Sequence, residues 1–411
     1  MARCILHADC NCFYASVEML HHPETRTQPM AVAGDPESRR GIILAKNDLA
    51  KRYGVSTGEA VWVAKRKCPD LVLLPPHFPQ YTEFSHRVKQ IFADYTDQIE
   101  SFGIDEAWLD VTGSTQLFGS GEQIAHQIRR RVKAELGITV SVGVSWNKIF
   151  AKLGSDLKKP DAVSVITPEN IEQVVWPLPA SALLGVGRAT SQKLTQLGIH
   201  TIGDLACASR ELLRHQLGKG GEQLWVYANG LDDSRVALHD EHEPVKSISN
   251  STTTSRDMTT AEDGRLVLTV LAESVSARLR EQQLSCRTVS VSLRTNRLAT
   301  SEFQCSLPYP SNETALILDT AVQLLEAHCN WSVPLRSLGI QLTNLCSSSE
   351  PIQLNLFDDP QDRLRHNALD HSVDCIRSRF GNASVLRASV LLDPTLTGFD
   401  PKYQHCMHPV D

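Results

Sequence analysis

Apolar residues recur along the chain with two periods, and each period marks an element. "RCILHAD" (Arg3–Asp9) reads as a buried strand running into a polar end. In "YTEFSHRVKQIFADYTDQI", Tyr81, Phe84, Val88, Ile91, Phe92, Tyr95 and Ile99 fall on one helical stripe. "IDEAWLDV" reads as a second strand, and Ile124, Ile128, Val132 and Leu136 mark a second helix. "ITVSVGVS" (Ile138–Ser145) is a third strand, and "NKIFAKLGSDLKK" a short helix stopped by Pro160. Together they predict a mixed α/β sheet domain, interrupted between about residues 20 and 75 by an inserted helical piece, with Pro75 and Pro76 marking the return.

From Pro177 the pattern changes. "LLGVGRATSQKLTQLGIHTIGDLA" (Leu183–Ala206) carries Gly185 and Gly187, which permit a tight hairpin whose N–H groups can cradle a phosphate at a helix start. The alternative is a glycine-bearing turn between packed helices. "LDDSRVALHDEHEPVKS" (Leu231–Ser247) is a polar linker. Beyond it, strands near Lys246–Thr254, Cys286–Leu293, Glu302–Leu307 and Leu335–Leu345 alternate with helices near Glu262–Arg280 and Asn312–His328. That order, β-α-β-β-α-β, is the split ferredoxin-like unit. Arg287, Arg294 and Arg297 sit on or beside its central hairpin, as a solubilising face or as a surface for phosphates. From Cys346 the pattern is less regular, and "QLNLFDD" stands out as an apolar segment in a polar setting. It cannot build a core of its own, so it docks on its own protein or on a partner.

Composition narrows the class. With 411 residues, 41% hydrophobic and 21% charged, the chain affords several globular domains. No apolar run is long enough to span a membrane, and "MARCILHADC" is too short and polar for a signal peptide. Eleven cysteines, scattered and without C-x-x-C spacing, are expected to be free thiols in a reducing cytosol rather than zinc ligands. The net charge of −6 is not that of a uniformly basic protein, but Gln127–Pro160 concentrates cations. Arg129, Arg130, Arg131, Lys133, Lys148, Lys152, Lys158 and Lys159 lie there against only Glu135 and Asp156. Such a stretch is also what a solvated helix face looks like.

The chemistry-bearing pattern is "SFGIDEAWLD". Asp105 and Glu106 are adjacent, and strand alternation would send one of them to the core, where an unpaired carboxylate costs several kcal/mol. Asp9 ends the first strand. If the two strands are neighbours, three carboxylates meet, and they repel unless a cation lies among them. Oxygen-only donors favour Mg²⁺. Gly103 permits a kink that would let both acids approach it. Scattered surface acids are the alternative.

"HADCNCFYASVE", "SFGIDEAWLDVTGS", "SVGVSWNKIFAKLGSDLKKPD", the GVG hairpin and "QLNLF" occur in the order found in Y-family translesion DNA polymerases, which the chain resembles over nearly its whole length. It looks like the DNA polymerase IV (DinB) branch, with a longer tail similar to the UmuC type. The resemblance implies an α/β (α+β) multidomain right hand. Its ferredoxin-like palm would take residues 1–19 and 76–166, its small fingers 20–75 and its helix–hairpin–helix thumb 167–235. A linker at 236–245 would lead to a β-α-β-β-α-β little finger at 246–346 and a tail at 347–411. It implies a cytoplasmic, monomeric enzyme without proofreading, acting on primer–template DNA and dNTPs. Asp9, Asp105 and Glu106 would hold two Mg²⁺ ions, with the backbone carbonyl of Cys10 completing one shell. Tyr14 falls at the steric gate that excludes a 2′-hydroxyl. Phe13, Lys51 and Lys159 would bind nucleotide, and Gly185, Gly187 and Arg188, with Arg287, Arg294 and Arg297, would bind DNA. Gln353, Leu354, Leu356 and Phe357 match the motif that docks on the sliding clamp.

The fingers depart from the family pattern. Where it reads Y-E-A-R, this chain has Asp48, Leu49, Ala50 and Lys51. Lys51 can meet a phosphate only as a point charge. Asp48 would sit beside a triphosphate unless it faces away. A nucleotidyl cyclase uses a similar carboxylate-bearing sheet, but the hairpin, little finger and clamp motif argue against it; a catalytically idle, clamp-tethered scaffold is the other alternative.

Overall fold

Strand β1 (Ile5–Cys10) is covered on both faces, which is why its sequence shows a continuous buried run rather than alternation. The computed structural model describes residues 3–35, 39, 41–241, 244–351, 353 and 360–399. They form two compact units, one drawn from residues 1–34 and 42–242, the other from 243–407 together with the short segment 35–41. In the first unit β1 leads to helix α1 (Phe13–His21) and then to an insertion made of β2 (Met30–Ala33), β3 (Ile43–Lys46), α2 (Asp48–Arg52), α3 (Val61–Lys67) and β4 (Val72–Leu74). The chain continues through α4 (Phe78–Ala93), β5 (Ile99–Ser101), β6 (Glu106–Asp110), α5 (Gly121–Leu136), β7 (Val140–Ser145), α6 (Lys148–Leu157) and β8 (Val163–Val165).

The main sheet has the order β5-β6-β1-β7-β8, antiparallel except for the β7–β8 pair. Leu6, Ala8 and Cys10 point into a core with Phe13 and Val17 of α1, Tyr81, Val88 and Ile91 of α4, and Ile124, Ile128 and Val132 of α5. Burying each such aliphatic side chain contributes roughly 1.5–3 kcal/mol. The alternate residues Ile5, His7 and Asp9 face α6 instead. That helix lies unusually close, because a Cβ on Gly143 of β7 would come within 1.9 Å of the Ala151 carbonyl oxygen. The strands and helices expected in this domain are present.

The insertion is not the helical piece expected. It holds a three-stranded sheet, β3-β2-β4, with α2 and α3 packed on it around Ile43, Ala50, Val61 and Ala64. Its strands are three or four residues long and "MAVA" is buried throughout, so no alternation betrays them.

Helices α7 (Arg188–Gln196), α8 (Ile202–Cys207), α9 (Arg210–Leu217) and α10 (Lys219–Ala228) complete the first unit. They share a core with Ile149, Phe150 and Leu153 on the outer side of α6. The expected polar linker is partly docked: Val236 is buried against Ile5, Trp108 and Ala151, and the Ala237 N–H donates to Glu100.

The second unit is the expected β-α-β-β-α-β: β9 (Ser247–Met258), α11 (Ala261–Glu281), β10 (Leu284–Thr295), β11 (Thr300–Ser311), α12 (Thr314–His328) and β12 (Leu335–Ser347). Its antiparallel sheet runs β11-β10-β12-β9, with both helices on one face. The tail is more regular than its sequence suggests. Helix α13 (Pro360–Phe380) docks on this unit by charge: Arg280 bonds Asp370 and Asp374, Arg363 bonds Glu313, and Arg377 bonds Glu273. A polar face does the docking, so apolar periodicity gives no sign of it. Among the described residues no helix is long and apolar enough to cross a membrane, and the ten cysteines are free.

Candidate active site

Register brings the acids together. Asp9 pairs with Glu106 across β1–β6, and the Cys10 N–H donates to the Asp105 carbonyl at 2.9 Å. Residues 102–105 form an irregular bend, and β6 begins only at Glu106. Strand alternation therefore does not govern Asp105, which answers why two adjacent acids can serve one place. A Cβ on Gly103 would stand 3.4 Å from the Asp105 carboxylate, an ordinary contact, so the bend packs directly under both acids.

Three lysines of one helical stripe face the acids from α6 and the residues just after it. Lys148 Nζ bonds Glu100 at 2.5 Å, Lys152 Nζ bonds Glu106 at 2.6 Å, and Lys159 Nζ bonds Asp9 at 3.0 Å and Asp156 at 2.9 Å. Asn147 caps α6 by accepting from the Phe150 N–H, which fixes where the stripe begins. Fully buried His7 accepts or donates at Nδ1 with Ser155 Oγ (2.8 Å), while its Nε2 stands 3.4 Å from Glu106 and is otherwise unpartnered. Trp108 donates to the Lys148 carbonyl and lies under the Lys148 ammonium, locking the start of the helix to β6. Lys152 and His7 are the members of the site that sequence reasoning missed. The i, i+4 spacing of Lys148 and Lys152 was the available signal, and it reads equally well as a solvated face.

The electrostatics separate the three acids. Burial, then the charges of Asp9 and Glu106, push Asp105 up to about 6. Burial also raises Asp9, against the pull of Lys159. Burial alone would raise Glu106, but His7 and Lys152 outweigh it and hold its carboxyl down at about 2. Burial lowers His7, against the upward pull of Glu106. Lys159 would be lowered by burial, yet Asp9 and Asp156 raise it and keep it charged. Among the described residues no three acid, His or Cys side chains already close around an ion, and Asp105 makes no ion pair. Asp9 and Glu106 are drawn to lysines on either side. The donor set is nevertheless that of a hard cation, an all-oxygen group sharing one field that the lysines only partly neutralise.

The neighbouring side chains are placed as follows. Phe13 is buried in the core, so its ring does not face the site. Tyr14 is half-buried and stacks on Tyr81, with centroids 4.2 Å apart. Cys12 sits in a left-handed conformation, φ 50°, at the turn into α1, with its thiol 3.9 Å from Asp48. Asp48 thus looks toward this end of the sheet and does not face away. Lys51 is exposed one turn further along α2. Gly185 has φ +89° and Gly187 caps α7, so the GVG segment is a true tight turn, with Arg188 exposed beside it. Arg287, Arg294 and Arg297 are all exposed, and Arg287 is paired with Glu350 at 2.9 Å. Gln353 is exposed; Leu354, Leu356 and Phe357 lie outside the described residues.

A mostly antiparallel sheet that presents three carboxylates at one end, beside lysines, fits a metal-dependent nucleotidyltransferase. Comparison agrees. The impB/mucB/samB family matches residues 8–156, its C-terminal domain 245–356, and the DNA polymerase-iota thumb domain 181–232. A solved Y-family DNA polymerase chimera superposes with a TM-score of 0.73 at 24% identity, covering 84% of this chain and 99% of its own. A DNA polymerase IV of Acetivibrio thermocellus is 51% identical over 393 residues, 96% of this chain and 98% of that protein. DNA polymerase IV of Clostridium acetobutylicum is 36% identical over 96% of this chain and 99% of its own length. DNA polymerase IV 2 of Bacillus subtilis is 36% identical over 94% of each. The chain belongs to the impB/mucB/samB family, the Y-family DNA polymerases.

Proposed function

We propose that this chain is a DNA-directed DNA polymerase of the DNA polymerase IV branch, performing low-fidelity translesion synthesis in the cytoplasm as a monomer. The observation that carries it is the convergence of Asp9, Asp105 and Glu106 at one sheet end, with Lys159 on Asp9. The main sheet serves as palm, the β3-β2-β4 insertion as fingers, α7–α10 as thumb and the second unit as little finger.

Asp9, Asp105 and Glu106, with the Cys10 carbonyl, would hold two Mg²⁺ ions, which when bound lower the pKa of the primer 3′-hydroxyl and stabilise charge on the α-phosphate and pyrophosphate. The protein's own part is orientation. His7 and Lys152 fix Glu106 from behind, leaving its carboxylate ionised. Lys159, already charged at the site, can exchange Asp9 for the triphosphate. Tyr14 packs where a ring excludes a ribose 2′-hydroxyl. Lys51 supplies a point charge, while Asp48 weakens triphosphate affinity relative to a tyrosine there. Gly185, Gly187 and Arg188 offer N–H groups and a cation to DNA phosphates; Arg294 and Arg297 add charge from the little finger, and Arg287 does so only after leaving Glu350. Gln353, Leu354, Leu356 and Phe357 tether the enzyme to the sliding clamp. Changing those four to Ala should abolish clamp stimulation and leave extension on bare DNA unchanged.

The decisive experiment is primer extension with Mg²⁺ on a template carrying an abasic site. Extension past the site supports the reading. Cyclic nucleotide formation without template, or no turnover at all with intact DNA binding, overturns it.

A further inference from the structure

Behind Tyr14 lies a buried carboxylate that the proposed chemistry does not use. Glu18, one turn along α1 from Tyr14, is 0% exposed. Its oxygens lie 2.9 and 3.2 Å from His77 Nδ1, at the N-cap of α4, and Oε1 accepts from the Tyr81 hydroxyl. Among the described residues no lysine or arginine pairs with it. A carboxylate so placed is costly to bury, and an apolar side chain would fill the same space more cheaply. The bonds to His77 and Tyr81 offset that cost only while both partners hold position.

The consequence runs through rings. Tyr81 is itself 0% exposed and stacks on Tyr14 at 4.2 Å with planes 13° apart. Phe78 meets Tyr14 and Tyr81 edge-on, at 6.0 and 5.8 Å. Stacking fixes the spacing of two rings but leaves them free to slide in plane. The Tyr81 hydroxyl, tied to Glu18, removes that freedom. Burial and the Glu18 carboxylate both raise the Tyr81 phenol, so it remains a donor throughout the working pH range.

We infer that Glu18 is a positioning residue: by anchoring Tyr81 and His77 it sets the plane of the Tyr14 ring and so the stringency of sugar discrimination. This rests on the reading of Tyr14 as the gate. Glu18 bonds His77 and Tyr81 and none of Asp9, Asp105 and Glu106; it acts through Tyr81.

The test is single-turnover insertion of dNTP and rNTP by Tyr81→Phe, Glu18→Gln, Tyr14→Ala and the double variants. Tyr81→Phe keeps the stacked ring and loses only the tether; Glu18→Gln keeps an acceptor for Tyr81 and changes the His77 contact. Tyr81→Phe should raise relative rNTP insertion about fivefold or more, with dNTP insertion within about twofold, and Glu18→Gln should lie between it and wild type. In the Tyr14→Ala background neither change should alter selectivity further, because no ring remains to position. If Tyr14→Ala raises rNTP insertion and Tyr81→Phe does not, the inference about Glu18 is wrong while the gate stands. If Tyr14→Ala itself leaves selectivity unchanged, the gate reading fails first. Thermal melting of Glu18→Gln separates a folding defect, which would lower dNTP and rNTP insertion alike and would also sink the inference.

Discussion

Two largely antiparallel sheets put opposite chemistry on the face turned from their main core. The first-unit sheet carries Asp9, Glu106 and, beside them, Asp105, countered by Lys152 and Lys159. On the second-unit sheet, the outward positions in register are Ser247, Ser249, Ser251 and Thr253 on β9, and Ser337, Gly339, Gln341 and Thr343 on β12. Thr288, Ser290, Ser292 and Arg294 on β10, and Thr300, Glu302, Gln304 and Ser306 on β11, continue the face. Only Arg294 and Glu302 are charged. Charge concentrated under a helix can hold ions and move a reaction; a hydroxyl-lined sheet can lie on a phosphate backbone without reading sequence and without strong dependence on salt.

The most severe way to break the contrast is to neutralise the charged face. Asp105→Asn should lower extension by about 10³-fold or more while DNA binding persists, since a lost metal ligand removes several kcal/mol of transition-state stabilisation. Extension within tenfold of wild type would take Asp105 out of the site. The same variant should melt higher than wild type without metal at neutral pH, by roughly 1–2 kcal/mol, because it relieves the burial of a charge, and then the repulsion from Asp9 and Glu106, that push Asp105 up to about 6. The sign follows from linkage. A carboxyl whose folded pKa exceeds its unfolded value near 4 destabilises the fold above that folded pKa, and the penalty disappears as pH falls from about 6 toward 4. The melting gap between Asn and Asp should close over that window. A gap independent of pH would show that Asp105 is not raised in the folded protein.

Next in size is Gly143→Ala. The added methyl would meet backbone atoms of α6, so the helix must shift, at a cost of about 3 kcal/mol or more. Lys152 and Lys159 ride on that helix and its exit, so extension and melting temperature should fall together. An unperturbed melt would mean that the close approach is unimportant. Lys152→Met comes third: it leaves Glu106 with His7 alone and should cost about 1–3 kcal/mol of metal-free stability. Mg²⁺ titrations of melting temperature should then show a larger metal-induced rise than in wild type, because the ion replaces the missing cation; an equal rise would argue that Lys152 is not a counter-charge.

The smallest effect belongs to the neutral face. Arg294→Ala should weaken DNA binding less than about tenfold and flatten the plot of log affinity against log salt by no more than about 1. A steeper loss would make the second sheet electrostatic after all, and would erase the distinction between the two faces.

Much of this was legible from local pattern. The period-3.6 stripe of α4, the strands at Ile5–Cys10 and Val140–Ser145, the alternation of the second unit and the GVG turn all depend on residues close in sequence, whose spacing alone sets which face they share. The identity of the acid trio was legible for the same reason, as was the clash that an ordinary strand would impose on Asp105. The tertiary structure decided the rest. Nothing near Lys152 in sequence says that Glu106, 46 residues away, will be its partner, and nothing near Glu18 says that His77 and Tyr81 will converge on it. The insertion's short strands and the tail helix, which docks by ion pairs on its polar face, left no periodic trace. Apolar periodicity reports burial against whatever lies nearby, whereas a charge's partner depends on which segments the topology makes adjacent. Sequence therefore determined the elements and the candidate carboxylates, and only the packed fold determined which cations and carboxylates hold them in place.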